Sequence, residues 1–118
     1  MIGLFAMPMS AVAQEKPPVL QLLMFERDDC PWCRLWHREI GAGYAKSEEG
    51  LKAPLRRIDL SRAWPADLPR LSIRYTPTFV LLGCTGEVGR LVGYPGADFF
   101  YPRLAQLIAD RAGAAACG

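Results

Sequence analysis

The sequence predicts an α/β domain with a mixed central sheet flanked by helices, in the order β-α-β-(α)-β-β-α. Three observations carry that expectation. Apolar runs at residues 19–25 and 78–82 read as strands, the second rich in β-favouring types. Apolar residues at helical spacing follow the first run and recur near the end of the chain. Between the last two strand patterns stands Gly83-Cys84-Thr85-Gly86, a hairpin signal. At 118 residues and 51% hydrophobic, the chain suffices for one domain burying roughly two-thirds of its unfolded surface.

Charge narrows the function classes. There are 14 Lys+Arg against 12 Asp+Glu, a net charge of +2, with the basic residues spread along the chain. Nothing resembles the basic runs whose counterion release drives nucleic-acid binding. Apolar residues are too plentiful for disorder. No apolar run reaches the roughly 18 residues of a membrane span.

Residues 1–13 read as an export signal. They are apolar, and Ala11-Val12-Ala13 fits the small-x-small pattern before a cleavage point. The usual basic start is missing, which suggests a true start further upstream. Residues 14–118 are the expected mature domain, with a small-residue tail from Ala112.

After the first strand, the polar residues 26–29 read as a loop in which Asp28 or Asp29 caps a helix. The helix begins at Cys30-Pro31-Trp32-Cys33, with Pro31 where a missing N–H matters least. Trp36, Ile40 and Tyr44 mark its buried face, and residues 47–50 end it. Residues 55–60 alternate as a second strand. Residues 61–69 form a linker, and residues 68–75 hold one short helix. The strand at 78–82 turns back through residues 87–92. Phe100, Leu104, Leu107 and Ile108 then share one face of a closing helix, which Pro102 either starts or separates from a first turn. The first two strands are parallel through a crossover; the last two are an antiparallel hairpin.

Two cysteines two residues apart, at a helix start directly after a strand, suit thiol–disulfide exchange. Helix N-terminal amides stabilise a thiolate, which is the attacking species. Cys30 is the expected exposed nucleophile. Cys33, one turn along, resolves the mixed disulfide and leaves the pair oxidised. Arg34 favours the Cys30 thiolate, while Asp28 and Asp29 oppose it. No cofactor is expected, since the two sulfurs carry the electrons. Two alternatives stay open. A zinc site would need further ligands, for which Cys84, Cys117 and His37 are the candidates. A copper-binding CxxC module without redox catalysis would use the same soft thiolates.

Thr76-Pro77 is a second signal, because in this element order it falls beside the CxxC helix start. A cis bond would present Thr76 to an extended substrate segment next to Cys30. The ordinary alternative is a trans proline at a strand's first residue.

The CPWC at 30–33 and the TP at 76–77 resemble the hallmark elements of the thioredoxin superfamily, whose minimal fold residues 19–112 follow. Leu22-Leu-Met-Phe-Glu26, Ala53-Pro-Leu-Arg-Arg57, Thr76-Pro-Thr-Phe-Val-Leu-Leu82 and Gly93-Tyr-Pro-Gly-Ala-Asp-Phe-Phe100 are similar to the SoxS-type periplasmic thioredoxins of bacterial sulfur oxidation. That resemblance implies a periplasmic monomer reducing disulfides or thiol adducts on partner proteins. Electrons would come from a membrane thiol-reducing transporter. Cys30 and Cys33 would be catalytic, and Pro31, Trp32, Thr76 and Pro77 would touch substrate. One departure stands out: thioredoxin proper has a buried Asp six residues before its first active-site cysteine, and here that position is Met24. Glu26 is nearer but out of that register. A glutaredoxin likeness is weaker, since Gly93-Tyr-Pro-Gly96 replaces the glutathione-binding Gly-Gly turn.

In this topology the hairpin turn and the end of the last helix meet at the pole opposite the active site. Cys84 and Cys117 therefore either pair in an oxidising compartment or remain two thiols.

Overall fold

Strand β1 (Gln21–Glu26) runs through the middle of a four-stranded sheet whose order is β2-β1-β3-β4. The structure is a computed structural model, and it describes residues 20–111. The expected export signal (residues 1–13), residues 14–19 and the tail containing Cys117 lie outside the described residues. β1 pairs in parallel with β2 (Leu55–Asp59) and antiparallel with β3 (Thr78–Gly83), which pairs antiparallel with β4 (Gly86–Val92). This is the expected mixed sheet.

The period of two along β1 divides the core. Leu22 and Met24 pair with Leu81 and Phe79, and together they face the helices. Leu23 and Phe25 face the other way, with Ile58, Leu68 and Val80. Covering each such Leu or Phe contributes on the order of 1.5–3 kcal/mol. β1 also runs one residue further than the apolar run suggested. Glu26 ends the strand and is buried rather than lying in a loop. Its carboxylate is met by the His37 ring and the Arg57 guanidinium, as described below.

The helical stretch after β1 comprises α1 (Pro31–Trp36), a π-helical segment (His37–Gly41) and a last turn α2 (Ala42–Tyr44). Trp36, Ile40 and Tyr44 are all buried, so the expected face is the observed one. Neither Asp28 nor Asp29 caps it. The cap is Cys30, whose Sγ accepts from the Cys33 N–H at 3.1 Å. Residues 47–50 do more than end the stretch, for they open a further helix, α3 (Glu48–Lys52). Ser47 Oγ accepts from the Gly50 N–H at 2.9 Å, a standard N-cap bond. Gly50 is required there because a Cβ would lie 1.8 Å from the Tyr44 carbonyl oxygen.

Among the described residues the second face of the sheet carries no helix. Residues 68–75, expected to hold one, are extended and bent. Pro65 and Pro69 break helical continuity, while Leu71 and Ile73 alternate inward with a strand-like period and pack under the sheet. Trp64 anchors the segment. Its ring stacks on Phe25 at 5.3 Å, its Nε1–H donates to the Leu68 and Pro69 carbonyls, and Arg70 lies 4.8 Å above it.

The hairpin turn is tighter than four residues: Gly83 still pairs with Gly86, leaving Cys84 and Thr85 between them. Gly86 has φ +122°, a value side-chain-bearing residues rarely adopt. The closing helix α4 (Ala97–Arg111) is continuous through Pro102, neither starting there nor broken there. The Gly96 carbonyl accepts from Phe99 and Phe100, so helical bonding starts well before the proline.

Candidate active site

The register places the site. Phe25 is paired with Thr78, and Thr78 with Val92, so the loop after β1, the start of β3 and the end of β4 share one edge of the sheet. That edge carries Cys30, Thr76-Pro77 and the loop Gly93–Gly96. Cys30 and Cys33 are bonded to each other, with Cα atoms 5.2 Å apart. Among the described residues no cysteine is a free thiol.

Both sulfurs are more covered than expected. Cys30 is 4% exposed and Cys33 1%. Cys30 is the more accessible of the two, but it is buried, because each sulfur shields the other and both pack against the core. The Cys33 N–H that reaches Cys30 Sγ is directed to hold charge on that sulfur when the bond is open. Arg34 bends back to the Asp28 carbonyl at 2.9 Å, so its guanidinium braces the loop that leads into Cys30.

The Thr76–Pro77 peptide bond is cis. Pro77 is buried and its carbonyl accepts from the Gly93 N–H at 2.8 Å, tying the proline turn to the end of β4. The Thr78 hydroxyl donates to the Tyr75 carbonyl at 2.6 Å, closing the turn on its other side. Of the expected substrate-touching residues, Pro31 and Trp32 are exposed, Thr76 is half-buried and Pro77 lies beneath.

At the active-site end of β1 stands a cluster around Glu26 that the sequence patterns did not assemble. Glu26 shares the face of Met24, one pleat nearer the active-site edge. Its Oε1 meets His37 Nε2 at 2.9 Å, and its Oε2 accepts from Arg57 Nε at 2.6 Å. The bond to Glu26 raises the Arg57 guanidinium further above its ordinary value. A second tie starts from the π-helical segment: Glu39 Oε1 accepts from the Tyr94 hydroxyl. Burial, then the Glu39 bond, push that hydroxyl well above the ordinary tyrosine range. The available signal was a carboxylate ending an apolar strand, with an arginine on the next strand two residues before Asp59, the register partner of Glu26.

This arrangement performs a two-electron exchange. With the pair reduced, the thiolate of one of the two cysteines can attack one sulfur of a disulfide, and the other sulfur leaves as a thiolate and takes up a proton. The thiolate of the second cysteine can then attack the first within the mixed disulfide. That releases the second partner thiol and forms the Cys30–Cys33 bond seen in the structure.

Comparison with known proteins agrees. Residues 5–108 match the thioredoxin-like domain family. No curated protein is significantly similar to the chain. Among solved structures, the reduced form of the periplasmic thioredoxin SoxS from Paracoccus pantotrophus is 46% identical. That match covers 76% of this chain and 96% of that one, with a TM-score of 0.70. Thioredoxin from Malassezia sympodialis shares the fold, at 18% identity and a TM-score of 0.51, covering 75% of each chain. The chain belongs to the thioredoxin-like family and is a thiol–disulfide oxidoreductase.

Proposed function

We propose that the protein works in the periplasm, reducing disulfides or thiol adducts on partner proteins of a sulfur-oxidation system. The observation that carries this is the bonded Cys30–Cys33 pair at a helix start on the sheet edge that bears cis Thr76-Pro77. The likeness to a periplasmic thioredoxin SoxS supports the compartment and the type of partner. In this reading residues 1–13 are the export signal and residues 14–118 the working domain. Cys30 is the nucleophile and Cys33 the resolving thiol. Pro31, Trp32, Thr76 and Pro77 form the rest for the substrate segment. A membrane thiol-reducing transporter returns two electrons to the Cys30–Cys33 bond after each turnover, and the protein acts as a monomer.

Trapping tests the assignment. Cys33→Ser should accumulate mixed disulfides with periplasmic partners, because nothing remains to resolve them. Cys30→Ser should trap far fewer. Equal trapping by the two variants, read on non-reducing gels with mass spectrometry, overturns the roles.

A further inference from the structure

Large apolar side chains at the surface are concentrated at the redox edge. Trp32 is 58% exposed, Tyr75 68%, Val92 50% and Phe99 59%. Topology puts all of them there: Trp32 in the active-site helix, Tyr75 before the cis bond, Val92 at the end of β4, Phe99 in the first turn of α4. Among the described residues the remaining exposed large apolar side chain is Leu51 in α3, at the other pole.

Two of these residues frame a recess on the sheet face away from the active-site helix. It holds about 280 Å³ and is lined by Ser72, Arg74, Tyr75, Thr78, Arg90 and Val92. The extended conformation of residues 71–74 creates it. Leu71 and Ile73 turn under the sheet, so Ser72 and Arg74 turn outward. No carboxylate lines the recess. Arg90 is neutralised by its two bonds to Glu87 and held by the Ser72 carbonyl at 2.9 Å. Arg74 is exposed and, among the described residues, has no hydrogen-bond or ion-pair partner. The recess thus combines an apolar wall with one unmatched positive charge, beginning one residue before Thr76.

We propose that this recess is a recognition subsite for the partner protein. It takes an apolar side chain from the extended segment around the partner's disulfide, and Arg74 meets an adjacent carboxylate. The inference rests on the reading that the partner is a protein disulfide. It accounts for apolar exposure that an isolated domain gains nothing from, and it assigns selectivity to charge at the rim of the contact.

The test uses the reduced full chain and peptides containing one internal disulfide flanked by Leu-Glu or Leu-Lys. The Leu-Glu peptide should react about fivefold faster at low salt, the size expected of a partly exposed ion pair. Arg74→Glu should abolish or invert that ratio. Lys52→Glu, the same charge change at the opposite pole, should keep it. Replacing the peptide leucines by serine should slow the wild type. An unchanged Glu/Lys ratio in Arg74→Glu, or no preference in the wild type, overturns the role of Arg74, and equal rates for leucine and serine peptides overturn the apolar wall. The neutral small disulfide 2,2′-dithiodipyridine separates the two readings: failure of the wild type to reduce it defeats the exchange chemistry itself, whereas its reduction without peptide selectivity defeats the recess alone.

Discussion

The Tyr94 hydroxyl donates to Glu39 Oε1 at 2.6 Å, joining positions 55 residues apart. One partner stands in the π-helical segment behind the cysteines, the other in the loop Gly93–Gly96 beside Pro77. The bond therefore fastens the two walls of the active-site edge to each other. Tyr94→Phe keeps the ring, which packs on Phe100 at 6.1 Å, and deletes only the donor. A loss of about 0.5–1.5 kcal/mol in urea unfolding is expected for a part-buried bond to a carboxylate acceptor. A change below about 0.3 kcal/mol would mean that solvent replaces the tyrosine without cost.

Alkaline stability should depend on Tyr44. Its hydroxyl donates to the Ala53 carbonyl at 2.7 Å, and burial, then Tyr101 and Glu49, push it far above the ordinary tyrosine value of about 10. Above that value the unfolded chain has released a proton that the folded chain still holds. Stability is thus fully present below pH ~10 and declines as pH rises beyond it. Urea midpoints measured from pH 8 to 11 on the oxidised protein should fall. The decline should be shallower in Tyr44→Phe, which loses about 1 kcal/mol at neutral pH from the missing bond.

Trp36 is the hub of the aromatic core, packed against Phe79 at 5.5 Å and Phe100 at 5.7 Å. Its buried Nε1–H has no hydrogen-bond partner among the described residues. Removing an unpaired donor offsets part of the volume lost, so Trp36→Phe should cost no more than about 1.5 kcal/mol. Trp36→Ala should cost about 3–5 kcal/mol. Similar costs for both in calorimetry would show that the indole nitrogen is satisfied in solution.

Cys84 sits on the hairpin turn at the pole opposite the active site, while Cys117 lies outside the described residues. We expect the two to be bonded in protein taken from an oxidising compartment. Closing a loop of about 34 residues should contribute about 3–4 kcal/mol. Mass spectrometry of unreduced, alkylated protein checks this: labelled Cys84 would end the pairing.

The parts of the molecule readable in the sequence are those whose signals are local. The CxxC at a strand-to-helix junction, the Thr-Pro before a β-favouring run and the Gly-x-x-Gly hairpin each lie within a few residues, and each stands where expected. Glu26 was misread because its environment is assembled from afar: His37 from the next helix and Arg57 from the parallel strand turn a polar position into a buried one. Cys30 displaced Asp28 and Asp29 as the cap because its sulfur already sits above the first free amides of the helix. Residues 68–75 carry apolar positions compatible with either period. Tertiary packing under the sheet selected the extended one. In α4 the reverse holds, since Phe100, Leu104 and Ile108 on the core keep the helix continuous past Pro102.

The disulfide hangs from the C-terminal end of β1, a strand with a bonded neighbour along each side and a covered surface above and below. Such a strand has nowhere to shift. When the sulfur–sulfur bond opens, relaxation should therefore be confined to the loop between Glu26 and Cys30 and to the first turn that follows. The nuclear rearrangement accompanying the two electrons is therefore small. In the proposed role, a partner meeting either oxidation state should find nearly the same outline, and product should leave because a covalent link has been cut, not because the surface has changed shape.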